Sequence, residues 1–151
     1  MEYEGKRHFE DLEVGEKTDC GSIEVTKEEM LRFAERYDPQ PYHIDEEVAS
    51  NSMYGDLIAS GWLTCSLTAR LLVKEHMNKN AMMGGRGMDE IRWHQLVYAG
   101  TVLSVTVGVV EKHAGKNPLF GHTKVKVTTT DEDGNEVLTM YGLGLVKKRE
   151  S

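Results

Sequence analysis

A chain of 151 residues, 39% hydrophobic and 28% charged, carries enough apolar material for one ordinary core and reads as a single domain over residues 1–151. Its net charge of −7 excludes a non-specific nucleic-acid binder, and no apolar run approaches the roughly 20 residues of a membrane helix. The charged start "MEYEGKRHFEDLEVGE" is unlike a signal peptide, and Cys20 and Cys65 alone make no disulfide framework, so a reduced, cytoplasmic protein is expected.

The chain reads as extended to about Val25. In "TKEEMLRFAERYD", Thr26 and Glu29 form a capping box, and Met30, Phe33, Ala34 and Tyr37 recur at helical spacing. Pro39 disfavours helical geometry at Asp38 and ends that helix. A short helix follows across "DEEVAS", capped by Asp45. In "IASGWLTCSLTARLLVKEHM" the one charge between Gly61 and Val73 is Arg70, and Trp62, Leu63, Leu67, Leu71 and Leu72 are expected to be buried. This is the central helix of the fold.

After a glycine-rich break, "MMGGRG", the period changes from helical to alternating. Val105, Val107 and Val109 alternate with Ser104, Thr106 and Gly108, and Val125 and Val127 alternate with Lys124 and Lys126. "DEDG" at 131–134 is a hairpin turn before the last strand, "EVLTMYGLGLVKK", where Gly142 and Gly144 share a face. Paired strand glycines mark a close approach by another element, for which the buried helix is the natural candidate. Helices first and strands after make an α+β fold with an antiparallel sheet. The basic run "KKR" at 147–149 reads as a solvated tail.

The most unusual stretch is "YDPQPYH", where two of the chain's three prolines stand between Asp38 and His43. With eight Asp and six His, chance places about 0.3 Asp-x4-His pairs in a chain of this length, and two occur. The second, Asp89 and His94, lies in "DEIRWH", a strand whose odd spacing sends the side chains to opposite faces. Asp38 and His43 span a proline-braced loop, where side chains can converge. The plain alternative is a loop aspartate bonding nearby amides and an exposed histidine. Gly61 starts the central helix, so its amide is one of the free donors that, with the helix dipole, favour developing negative charge. The alternative there is a glycine that only shapes the turn into the helix.

"FAERYDPQPYHIDEEVA", "YGDLIASGW" and "MDEIRW" resemble the MaoC-like dehydratase family, which includes the (R)-specific enoyl-CoA hydratases; the resemblance runs from about Phe9 to Val146. It implies a hot-dog fold, an antiparallel sheet wrapped around a long central helix. It also implies reversible hydration of a trans-2-enoyl-CoA to an (R)-3-hydroxyacyl-CoA. Asp38 and His43 would activate one water, and the Gly61 amide would polarise the thioester carbonyl. No cofactor is implied, CoA being part of the substrate. Tyr42, Ser60 and Trp62, beside these positions, are the nearest candidates for substrate contact, and Arg86 and Arg92 for the CoA phosphates. The family pairs two sheets edge to edge, so a homodimer or dimer-based oligomer is expected, with "MMGGRG" bordering the neighbour's pocket.

The sequence departs from the family pattern at Ser60, where a histidine is common, at Gln40, where an asparagine is, and at Thr68 and Ala69, near a frequent helix serine. Two rivals remain. A hot-dog thioesterase would use a carboxylate on or beside the helix, but none occurs between Asp56 and Glu75. A non-catalytic acyl-thioester binding module would need neither Asp38 nor His43. "HID" brings His43 near Asp45, but His76, His94, His113 and His122 are scattered, so no metal site is expected.

Overall fold

The computed structural model describes residues 2–150. The N-terminus is not extended throughout: turns over residues 2–5 and a 3-10 turn, Phe9–Asp11, precede strand β1, Lys17–Glu24. Helix α1, Lys27–Tyr37, starts where Thr26 Oγ1 accepts the Glu29 amide at 3.2 Å, and the chain leaves it at Asp38. A helical turn that the sequence reading took for loop follows: α2, Pro41–Ile44. Pro41 opens it, where a missing N–H costs nothing and a fixed φ suits the helix. Helix α3, Glu46–Ser50, has the Asp45 carboxylate on the amides of Glu47 and Val48, as its spacing predicts.

Helix α4, Gly61–Glu75, is the central element. Leu63 and Leu67 pack with Met30, Val97, Leu103 and Val137, while Leu72, further along, packs with Val105, Val107, Val127 and Leu138. Each such aliphatic side chain contributes about 1.5–3 kcal/mol on burial, so this one stripe anchors the helix to the sheet. The expectation of burial all round is corrected. Trp62 is 54% exposed, and Ser66, Ala69, Arg70 and Val73 continue the exposed stripe beyond it. The sheet reaches only one side of α4.

The sheet is antiparallel in the order β1-β3-β4-β5-β2, with β2 at Met82–Trp93, β3 at Val102–His113, β4 at Phe120–Thr130 and β5 at Glu136–Lys147. With α4 against it, this is the hot-dog arrangement. Val105, Val107, Val109 and Val127 face inward, each at most 2% exposed. "MMGGRG" is not a break but the first half of β2. Register shifts against β5 at Met82/Gly84 and Gly85/Gly87 absorb the irregularity, with Gly84 at φ +140° and Gly87 at φ +156°. The approach to Gly142 and Gly144 is corrected too. Met88 and Val125 lie nearest Gly142, and Met82 and Thr123 nearest Gly144, so neighbouring strands, not the helix, use that space. The basic tail is fastened: Arg149 forms a two-pronged pair with Asp11 at 2.7 and 2.6 Å, which holds the Asp11 carboxyl at about 2. Cys20 and Cys65 are free thiols.

Candidate active site

Asp38 and His43 meet at the N-terminal end of α4. Asp38 stands where Pro39 stops α1, and His43 hangs from the single turn of α2, which turns its ring inward. His43 Nε2 lies 3.4 Å from Asp38 Oδ2, with the side chains 6% and 15% exposed. His43 Nδ1 lies 2.7 Å from the Ile58 carbonyl oxygen. A carbonyl only accepts, so the proton of the neutral imidazole sits on Nδ1 and Nε2 presents a lone pair. That leaves two acceptors, Nε2 and Oδ2, facing each other. A molecule with two O–H donors satisfies both, and water is the smallest.

The carboxylate is gripped on both oxygens. Ser60 Oγ donates to Oδ2 at 2.7 Å and Gln40 Nε2 donates to Oδ1 at 2.7 Å, while Tyr42 OH donates to Gln40 Oε1. Burial pulls the Asp38 carboxyl upward, but the bonds from Ser60 and Gln40, joined by the charge of the His43 ring whenever that ring is protonated, hold the group below the ordinary carboxylate value.

Gly61 is the first residue of α4, and its amide has no hydrogen-bond partner among the described residues; the Trp62 amide donates to Ser60 Oγ, and those of Leu63 and Thr64 to Ser60 O. The glycine has a reason invisible in its own segment. A Cβ there would lie 2.6 Å from Trp93 Cε2, and Trp93 Nε1 donates to the Gly61 oxygen at 2.9 Å. Trp93 was absent from the sequence candidates, although "MDEIRW", one of the stretches that carry the family resemblance, ends on it. Asp38, Tyr42, His43, Gly61, Trp62 and Trp93 border one open cleft of about 300 Å³.

The other candidates fall elsewhere. Ser60 is 1% exposed, with its hydroxyl committed to Asp38. Arg86 borders a separate hollow on the sheet with Glu111, His113, His122 and Lys124, and Arg92 Nη1 bonds the Ile91 carbonyl in an exposed setting. Neither arginine borders the cleft. Thr68, nearest the helix serine of the family pattern, is buried with its hydroxyl 2.7 Å from that of Thr129. His94, of the second Asp-x4-His pair, bonds Thr139 Oγ1 at 2.7 Å. Among the described residues no group of three or more His, Cys, Asp or Glu converges as a metal would require.

Comparison with known proteins bears on the family and the fold. Residues 10–131 match the family described as the MaoC like domain. The uncharacterized protein YdeM of Bacillus subtilis (strain 168) is 30% identical over 111 residues, 74% of this chain and 79% of that protein. The MaoC-like dehydratase of Rhodospirillum rubrum has a TM-score of 0.85 at 31% identity, over 95% of this chain and 99% of that one. An unliganded (R)-hydratase of Pseudomonas aeruginosa shares the fold, with a TM-score of 0.77 at 20% identity over 96% of this chain and 88% of that one. This chain belongs to the MaoC-like dehydratase family.

Proposed function

We propose that this protein catalyses the reversible hydration of a trans-2-enoyl thioester to an (R)-3-hydroxyacyl thioester, with Asp38 and His43 sharing the reacting water. The observation that carries this reading is the pair of facing acceptors, His43 Nε2 and Asp38 Oδ2, 3.4 Å apart beside an unpartnered helix-start amide. Water held by both O–H bonds directs its lone pairs outward, toward the β-carbon. As the new C–O bond forms, one O–H proton passes to the Asp38–His43 pair and the C=C electrons shift toward the thioester carbonyl. The Gly61 amide stabilises that oxygen, an effect worth about 3–4 kcal/mol for a well-placed donor. The pair then returns a proton to the α-carbon, so atoms and charge balance. CoA enters as part of the substrate and no other cofactor takes part. A cytoplasmic setting fits, and no described helix is long and apolar enough to cross a membrane.

The same reading takes a homodimer, or an oligomer built from one, as the working unit. Strand β2 offers a free edge of 12 residues, exposed along most of its length, with Met88 and Trp93 42% and 44% exposed. An uncovered edge of this kind invites a second strand. Antiparallel pairing of two copies about the middle of β2 brings one copy's Trp93 end against the other's Met82 end. Met88→Lys is expected to shift sedimentation toward monomer and to lower activity with it.

The deciding assay follows loss of enoyl-thioester absorbance with crotonyl-CoA and octenoyl-CoA. Wild type is expected to hydrate at least one, and Asp38→Asn and His43→Ala to lose about 10²–10⁴-fold in kcat. Release of free thiol from saturated acyl-CoA, with no hydration, would establish a thioesterase instead.

A further inference from the structure

We propose that Ser60 is a positioning residue, whose single hydroxyl ties the reacting carboxylate of Asp38 to the N-terminus of α4. The inference rests on the hydratase reading for its kinetic consequence but on geometry for its substance. Ser60 is the N-cap of α4, and its Oγ accepts the Trp62 amide at 3.2 Å. An amide only donates, so the hydroxyl's one proton is left for Asp38 Oδ2, 2.7 Å away. The direction of that bond is therefore fixed. A capping serine normally serves the helix alone. This one serves the helix and, through the same atom, a side chain 22 residues earlier in the chain.

The consequence is a fixed relation between the two halves of the site. The unpartnered amide of Gly61 and the hydroxyl holding Oδ2 belong to adjacent residues, so the carboxylate keeps its distance from the place where the thioester oxygen would sit. On the far side, Gln40 holds Oδ1 and is itself held by Tyr42 OH. Asp38 is thus braced from its own loop, from α2 and from α4. His43 is the titratable group facing it, with the Tyr42 phenol behind Gln40. A donor on each oxygen favours the ionised form, the form that can accept a proton from water. The serine that departs from the family pattern is, on this account, what lets the base stay charged while half-buried.

The test compares Ser60→Ala, Ser60→Gly and Ser60→Thr with wild type. Glycine keeps most of the N-capping preference but has no hydroxyl, and threonine restores it, so capping and positioning are separated. The Asp38 carboxyl is titrated by 13C NMR, its signal assigned through Asp38→Asn, and kcat and KM are measured against pH in parallel. Ser60→Ala and Ser60→Gly are expected to raise the Asp38 midpoint toward the ordinary carboxylate value. They should also move the acidic limb of kcat upward and lower kcat about 10- to 100-fold with KM little changed. Ser60→Thr is expected to return all three toward wild type. An Asp38 midpoint unchanged in Ser60→Gly overturns the proposal, whatever happens to rate or stability. Should no enoyl thioester react with wild type, the hydratase reading fails, and the midpoint still decides the role of Ser60.

Discussion

The two ends of α4 are built on opposite principles. At its N-terminus an open cleft of about 300 Å³ brings together a carboxylate, an imidazole and a free amide. Past its C-terminus lies a cavity of about 240 Å³ lined almost wholly by apolar groups, among them Leu72, Met77, Met82 and Met88. His76 and Thr123 supply its polar side chains. The helix itself sets part of this contrast, because its free donors all lie at the first end. Glycine sets the rest. Gly61 makes room for an indole, whereas Gly142 and Gly144 make room for Met88, Val125, Met82 and Thr123, side chains that line the C-terminal void. An engineered apolar cavity of about 150 Å³ already holds benzene, so the C-terminal void has room for an aliphatic group.

Substitutions at the two ends should therefore fail in different currencies. The largest effect is at the dyad, where Asp38→Asn and His43→Ala remove activity and leave the circular dichroism spectrum unchanged. Leu72→Ala, at the other end, is expected to cost about 2–5 kcal/mol of stability by enlarging a cavity, read by urea denaturation, with little change in kcat for a short acyl chain. A large kcat loss there for crotonyl-CoA would break the comparison.

Gly61→Ala comes next. Its Cβ meets the Trp93 ring at 2.6 Å, so overpacking of about 1–3 kcal/mol is expected along with loss of activity. Adding Trp93→Ala should recover part of the stability, a coupling that a double-mutant cycle measures. If Trp93→Ala recovers none, the clash is not what requires glycine here.

A smaller effect comes from His76, which is 8% exposed. Burial holds its imidazole below the ordinary value, with Glu16 opposing and Arg7 adding to the shift. A depressed folded value means that the unfolded chain binds the proton more readily. His76 therefore favours the fold above the unfolded value of about 6.5, and that contribution is lost as pH falls below it. Urea midpoints between about pH 5 and 8 should slope less in His76→Gln than in wild type, with Asp38→Asn leaving this window unaffected.

Much of the site could be read before folding. Thr26 and Asp45 cap the helices that their spacing predicts, because a cap is a contact across three residues. The alternating valines of β3 and β4 face inward, because a strand turns its side chains over every residue. Asp38 and His43 converge because proline stops one helix and starts the next within five residues. "MMGGRG" misled for the opposite reason. Its glycines weaken the alternating signal, and only pairing with β5 makes that segment a strand.

By itself, then, the sequence determined most of the elements, their order and the candidate pair Asp38 and His43, since these follow from interactions within a few residues. The tertiary structure alone decided why Gly61 must be glycine, what Ser60 does with its proton and that Arg86 stands apart from the cleft. Trp93 reaches Gly61 across 32 residues and Ser60 reaches Asp38 across 22. Contacts at that separation are set by how separate elements pack, β2 against the start of α4 in one case and the end of α1 against it in the other, and no local spacing encodes them.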